Sequence, residues 1–148
     1  MADQPITRCE FNTNELLLRL DVTLEANREA AIALVEQIME TVLDMGCAAG
    51  REFEVSLAIV EALTNAIEHG CQNDPTRKIQ CCVLCDDERG MLIIVRDPGP
   101  GFDPASIPSP VVGENVFATH GRGIFLINLM VDEVCFERGG TEIHMRIK

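Results

Sequence analysis

Residues 55–70 read VSLAIVEALTNAIEHG, and the fold turns on how that stretch is spaced. Val55, Ala58, Ile59, Ala62, Leu63, Ala66 and Ile67 recur at intervals of three and four, which makes one continuous apolar stripe along a helix. The spacing predicts a helix from about Gly50 to Gly70. Glu61 and Asn65 stand four residues apart and so share a face. At roughly 100° per residue that face falls on the border of the stripe, neither in the core nor fully outward. A stripe this long has to be covered by a second layer.

The flanking sequence supplies that layer. Glu15 to Leu24 partly alternates and reads as a strand. Ala26 to Met45 has apolar residues at helical spacing, with Gly46 just beyond it as a stop. Arg77 to Asp86 and Met91 to Arg96 read as a hairpin joined through Asp86 to Gly90. A Pro/Gly-rich stretch, Asp97 to Gly121, is too long for an ordinary connection and is expected to be a lid or binding loop. A short helix over Gly123 to Met130 leads to a closing hairpin, Glu133 to Glu137 and Thr141 to Ile147, around Gly139-Gly140. Strands and helices mix without regular βαβ alternation, so the expected class is α+β, a two-layer sandwich. The 148 residues are read as one domain.

Composition narrows the function classes. The net charge of −12 argues against nonspecific nucleic-acid binding, which relies on Lys and Arg neutralising phosphates. No apolar run approaches the roughly 20 residues that span a bilayer, and Met1 to Glu10 lacks the blocks of a secretory signal, so a soluble cytoplasmic protein is expected. Seven cysteines, an odd set, are read as reduced thiols. Cys82 and Cys85 form a C-x-x-C, but on a strand residues three apart point to opposite faces. Buried small side chains are the better reading than a metal site.

Three motifs carry chemistry. Asn65 offers a neutral hard oxygen suited to Mg²⁺, and Glu61, one turn away, is placed to take a proton from an attacking hydroxyl. The same spacing also fits a solvated helix face. Asp97-Pro98-Gly99-Pro100-Gly101 follows the strand LIIVR, where Asp97 can accept a hydrogen bond from an adenine amino group; D-P-G is equally ordinary turn chemistry. Gly121-Arg122-Gly123-Ile124 leads into a helix whose first N–H groups make an anion site, and Arg122 adds a cation. A plain hinge before a core helix fits those residues as well.

The order of the three is more telling than any one of them. E-A-L-T-N (Glu61 to Asn65), D-P-G-P-G (Asp97 to Gly101) and G-R-G-I (Gly121 to Ile124) resemble the N, G1 and G2 boxes of the GHKL ATPase superfamily. The finer resemblance is to the anti-sigma factor serine/threonine kinases, the RsbW and SpoIIAB type. It is carried by N-A-I-E-H-G (Asn65 to Gly70), G-F-D-P (Gly101 to Pro104), V-D-E-V (Val131 to Val134) and G-G-T (Gly139 to Thr141).

The resemblance implies a Bergerat-type fold, with helices on one face of a mixed sheet, and ATP with Mg²⁺ as cofactors. Glu61 would be the catalytic base and Asn65 the Mg²⁺ ligand. Asp97 would read the adenine with Gly99, Gly101 and Thr141, while Gly121, Arg122, Gly123 and Ile124 would hold phosphates beneath an ATP lid over residues 102–120. Implied partners are a STAS-domain anti-anti-sigma protein, which is the phosphate acceptor, and a sigma factor or analogous regulator. The implied assembly is a homodimer. The alternative is a nucleotide-responsive module that sequesters a regulator without kinase activity. Members can carry a partner-contacting arginine in the first helix; here Ile32 stands near that position, with Arg28 one turn earlier.

Overall fold

The computed structural model describes residues 18–86, 90–100 and 126–148. The described residues begin with strand β1 (Leu18–Glu25), followed by helices α1 (Arg28–Met45) and α2 (Glu52–Asn65). Strands β2 (Lys78–Asp86) and β3 (Gly90–Arg96) come next, and β4 (Glu133–Glu137) and β5 (Glu142–Ile147) close the chain. Residues 126–130 are helical.

Helix α1 starts where Asn27 caps it, its side chain accepting from the Ala30 N–H at 2.8 Å. It ends at Gly46, whose left-handed φ of 72° lets its N–H reach back to the carbonyls of Leu43 and Val42. In α2 the buried residues are Val55, Ala58, Ile59, Ala62 and Leu63, the stripe read from the sequence. The helical run does continue to Gly70, but its last five residues, Ala66–Gly70, form a single π-helical turn.

The five strands form one sheet in the order β1-β2-β3-β5-β4. Alternate residues of every strand, such as Val83, Ile93 and Met145, join α1 and α2 in one core, so both helices cover the same face. The α+β two-layer architecture is therefore present. Every pairing among the described strands is antiparallel, a correction to the mixed sheet that the resemblance implied. Two tight antiparallel pairs, β2–β3 and β4–β5, are brought side by side by the β3–β5 pairing, so β5 lies between β3 and β4, out of sequence order.

The cysteines require a second correction. Cys82 and Cys85 do face opposite ways, Cys85 into the main core and Cys82 onto the face away from α1 and α2. Cys85, however, is disulfide-bonded to Cys47, with 6.3 Å between their Cα atoms. The turn after α1 lands over the end of β2, a juxtaposition that no sequence spacing signals. Buried Cys81 remains a thiol, and desolvation pushes its pKa up to about 12, which leaves it unreactive near neutrality. The disulfide closes a loop of sequence separation 38. On chain-entropy grounds a link of that span contributes about 4 kcal/mol. Cys47→Ser and chemical reduction should therefore lower the melting temperature by similar amounts, and reduction should have no further effect on the Cys47→Ser variant.

Long-range polar contacts join the two ends of the fold. Arg51, just before α2, reaches Asp132 at 2.9 Å and donates to the Met130 carbonyl at 2.9 Å. It thereby satisfies a carbonyl at the end of the 126–130 helix and sets the start of α2 against β4.

Candidate functional site

The end of α2 and the end of β3 meet. The π turn closes through the Cys71 N–H on the Ala66 carbonyl at 2.8 Å, bringing Gly70 against the chain leaving β3. A Cβ at Gly70 would sit 2.2 Å from Asp97 Cγ and 2.5 Å from each of its carboxylate oxygens. A Cβ at Gly99 would sit 2.2 Å from the Gly70 carbonyl oxygen. Two glycines from segments far apart in sequence are thus interlocked around one carboxylate.

Asp97 is fastened on two further sides. Its N–H donates to the Thr141 carbonyl at 2.9 Å, extending the β3–β5 ladder by one bond. Its Oδ1 accepts from the Gly99 N–H at 2.8 Å, which closes the D-P-G turn. Thr141 lies in the turn before β5 rather than in the strand, with its hydroxyl donating to the Arg138 carbonyl at 2.9 Å. Glu61 and Asn65 lie one turn apart on α2, both half-buried, at the stripe border where the periodicity put them.

The structure therefore gathers Asp97, Gly99 and Thr141 beside Gly70, on the chain that α2 delivers from Glu61 and Asn65. Gly101, Gly121, Arg122, Gly123 and Ile124, with the expected lid over 102–120, lie outside the described residues. Gly70 and Cys71 were not legible as site residues. A glycine ending a helical pattern reads as a stop, and its close approach to Asp97 exists only across the fold.

Burial pushes the Asp97 carboxyl above the usual carboxylate range, and the Gly99 N–H offsets this only in part. The neighbouring Cys71 thiol is also pushed up, by burial first and then by the Asp97 charge. A carboxyl with a raised folded pKa weakens the fold as pH climbs from the unfolded value through the folded one, and its cost is complete above that. Asp97→Asn should therefore melt no lower than the wild type at neutral pH. Its advantage should shrink as pH falls below the ordinary Asp value, where both chains carry a neutral group. Melting curves across pH check this.

A separate groove lies elsewhere among the described residues. About 810 Å³ opens between α1 and the outer flank of α2, lined by Arg28, Ile32, Val35, Val60, Thr64 and Glu68 among others. Neither Glu61 nor Asn65 lines it. Ile32 thus faces a largely apolar trough.

With this geometry in place, the comparison with known families is decisive. The sequence profile of the histidine kinase-like ATPase domain matches residues 24–147. The chain belongs to that family. The match runs from the end of β1 through β5 and so takes in every segment of the candidate site. The chain is also similar to the anti-sigma F factor of Oceanobacillus iheyensis, with 33% identity over 99 residues. That alignment covers 62% of this chain and 66% of the relative, a little under two thirds of its length. Membership in a histidine kinase-like ATPase family makes ATP the ligand for this fold. No helix among the described residues is long and apolar enough to cross a membrane.

Proposed function

We propose that this ATPase-family domain is an ATP-dependent protein serine/threonine kinase that acts as an anti-sigma factor. It would phosphorylate a STAS-domain antagonist and, in the alternative complex, sequester a sigma factor or analogous regulator. The observation that carries the reading is the interlock of Gly70, Asp97 and Gly99 beside Thr141, at the end of the helix bearing Glu61 and Asn65. The similarity to an anti-sigma F factor supports the regulatory half.

Each residue has a role in this reading. Asp97 accepts from the adenine amino group, its carboxylate held by the Gly99 N–H and its backbone by Thr141. Gly101 and Thr141 complete the base pocket. Asn65 is half-buried at the helix end and presents a carboxamide oxygen. That fits Mg²⁺, which takes one or two protein oxygens and fills its remaining positions with phosphate and water. Glu61 takes the proton from the attacking hydroxyl, and Gly121, Arg122, Gly123 and Ile124 hold phosphates. Phosphoryl transfer asks the protein for positioning and charge stabilisation rather than covalent chemistry, so this short set suffices. The trough between α1 and α2, lined by Ile32 and Arg28, is the surface assigned to a protein partner, and the active assembly is a homodimer.

Incubation of the domain with γ-labelled ATP, Mg²⁺ and a STAS-domain protein from the same cells should place label on a serine or threonine of the latter. Retained ATP binding with no transfer to any such protein would leave the non-catalytic binding module as the correct reading.

A further inference from the structure

On the face of the sheet away from α1 and α2, directly behind the proposed base pocket, a polar row crosses four strand pairings: Thr23, Gln80, Arg96, Glu142 and Glu137. Its centre is Glu142, which is buried, with only 6% of its surface exposed. One carboxylate oxygen accepts from Arg96 Nε at 2.5 Å and lies 3.4 Å from Arg138 Nε. The other is 2.6 Å from Nε2 of His144, itself 1% exposed. Burial alone would raise the Glu142 carboxyl, but the bonds from His144 and Arg96 outweigh it and hold the group below its ordinary value. A buried carboxylate with this many donors is locked in one rotamer.

Its neighbours in sequence give that lock a use. Arg96 immediately precedes Asp97, and Glu142 immediately follows Thr141. The Arg96–Glu142 pair therefore clamps the two strand ends from one side, while the Asp97 N–H bond to the Thr141 carbonyl joins them on the chain itself. Arg138 adds a second hold. It has a left-handed φ of 54°, uncommon for a residue with a side chain, and its carbonyl accepts from both the hydroxyl and the N–H of Thr141. The guanidinium of that same residue is anchored by Glu142.

We propose that Glu142, acting through Arg96 and Arg138, is a positioning residue that holds Asp97 and Thr141 in register for recognition of the nucleotide base. The inference rests on the reading of Asp97 as the base-recognising group, and its test keeps the two apart. Affinity for a fluorescent ATP analogue, with competition by ATP and by GTP, is measured for Glu142→Gln, Arg96→Met, Asp97→Asn and Arg146→Met. Arg146 is the control, because its 3.0 Å pair with Glu133 joins β4 and β5 on the same face but far from Asp97.

Glu142→Gln and Arg96→Met should each weaken ATP about tenfold, the scale of one charge-assisted hydrogen bond, and should narrow the preference for ATP over GTP. Arg146→Met should leave both quantities unchanged. Wild-type affinity and base preference in Glu142→Gln and Arg96→Met, with Asp97→Asn impaired, would overturn the positioning role alone. Wild-type binding by Asp97→Asn would overturn the base-pocket reading as well. Should Glu142→Gln fail to fold, Arg96→Met decides by amide exchange: faster exchange of the Asp97 N–H is expected, and unchanged protection sinks the proposal.

Discussion

Glu61→Gln should bind ATP as the wild type does and transfer its phosphate at a rate lower by a factor of about 10² to 10⁴, the usual contribution of a positioned general base. The substitution is nearly isosteric and keeps the side chain's hydrogen-bonding reach, so the half-buried helix border that holds Glu61 should pack as before. What it removes is the capacity to accept a proton. Binding measured by calorimetry and transfer measured in single turnover separate the two quantities. A variant with weakened binding and an intact rate of transfer would assign Glu61 to ligand contact and leave the base unidentified. A variant with both unchanged would take α2 out of the chemistry.

Gly70→Ala should lose nucleotide affinity by a factor of about 10 to 100, although residue 70 makes no proposed contact with the nucleotide. The added methyl would stand 2.2 Å from Asp97 Cγ, so the carboxylate must turn away from the place where it is proposed to read the base. Forcing a methyl into such a space also costs about 1–3 kcal/mol of stability. The cause can be isolated with a double-mutant cycle. In an Asp97→Ala background the collision is gone, and Gly70→Ala should then cost much less stability than it does alone. An undiminished cost in that background would mean that the methyl strains the π turn itself and not the carboxylate. Gly99→Ala should be the harsher change, since its methyl meets the Gly70 backbone, which cannot rotate away.

How much of this was legible without a structure varies by element, and the reason is physical in each case. Side-chain periodicity is a local property, so the buried face of α2 from Val55 to Leu63 could be read directly. Capping is local too, which is why Gly46 marked the end of α1. The same locality put Glu61 and Asn65 on the stripe border and Asp97 at a strand end, where each is found. Alternation along β2 separated Cys82 from Cys85 for the same reason.

Other features depend on which distant segments come to touch, and local pattern carries no record of that. The π turn at Ala66–Gly70 looks like ordinary helix in the one-letter code, because the extra residue in the turn accompanies the packing of Gly70 on Asp97. The Cys47–Cys85 disulfide contradicted a reading based on cysteine count, since pairing follows the 6.3 Å approach of two Cα atoms and not spacing along the chain. The antiparallel pairing of β3 with β5 across a long intervening stretch is likewise a property of the assembled sheet. That pairing sets Asp97 against Thr141 and places Glu142 behind them both. Residue identities thus named the candidate groups, whereas the contacts that hold them arise only when strands and helices remote in sequence pack together.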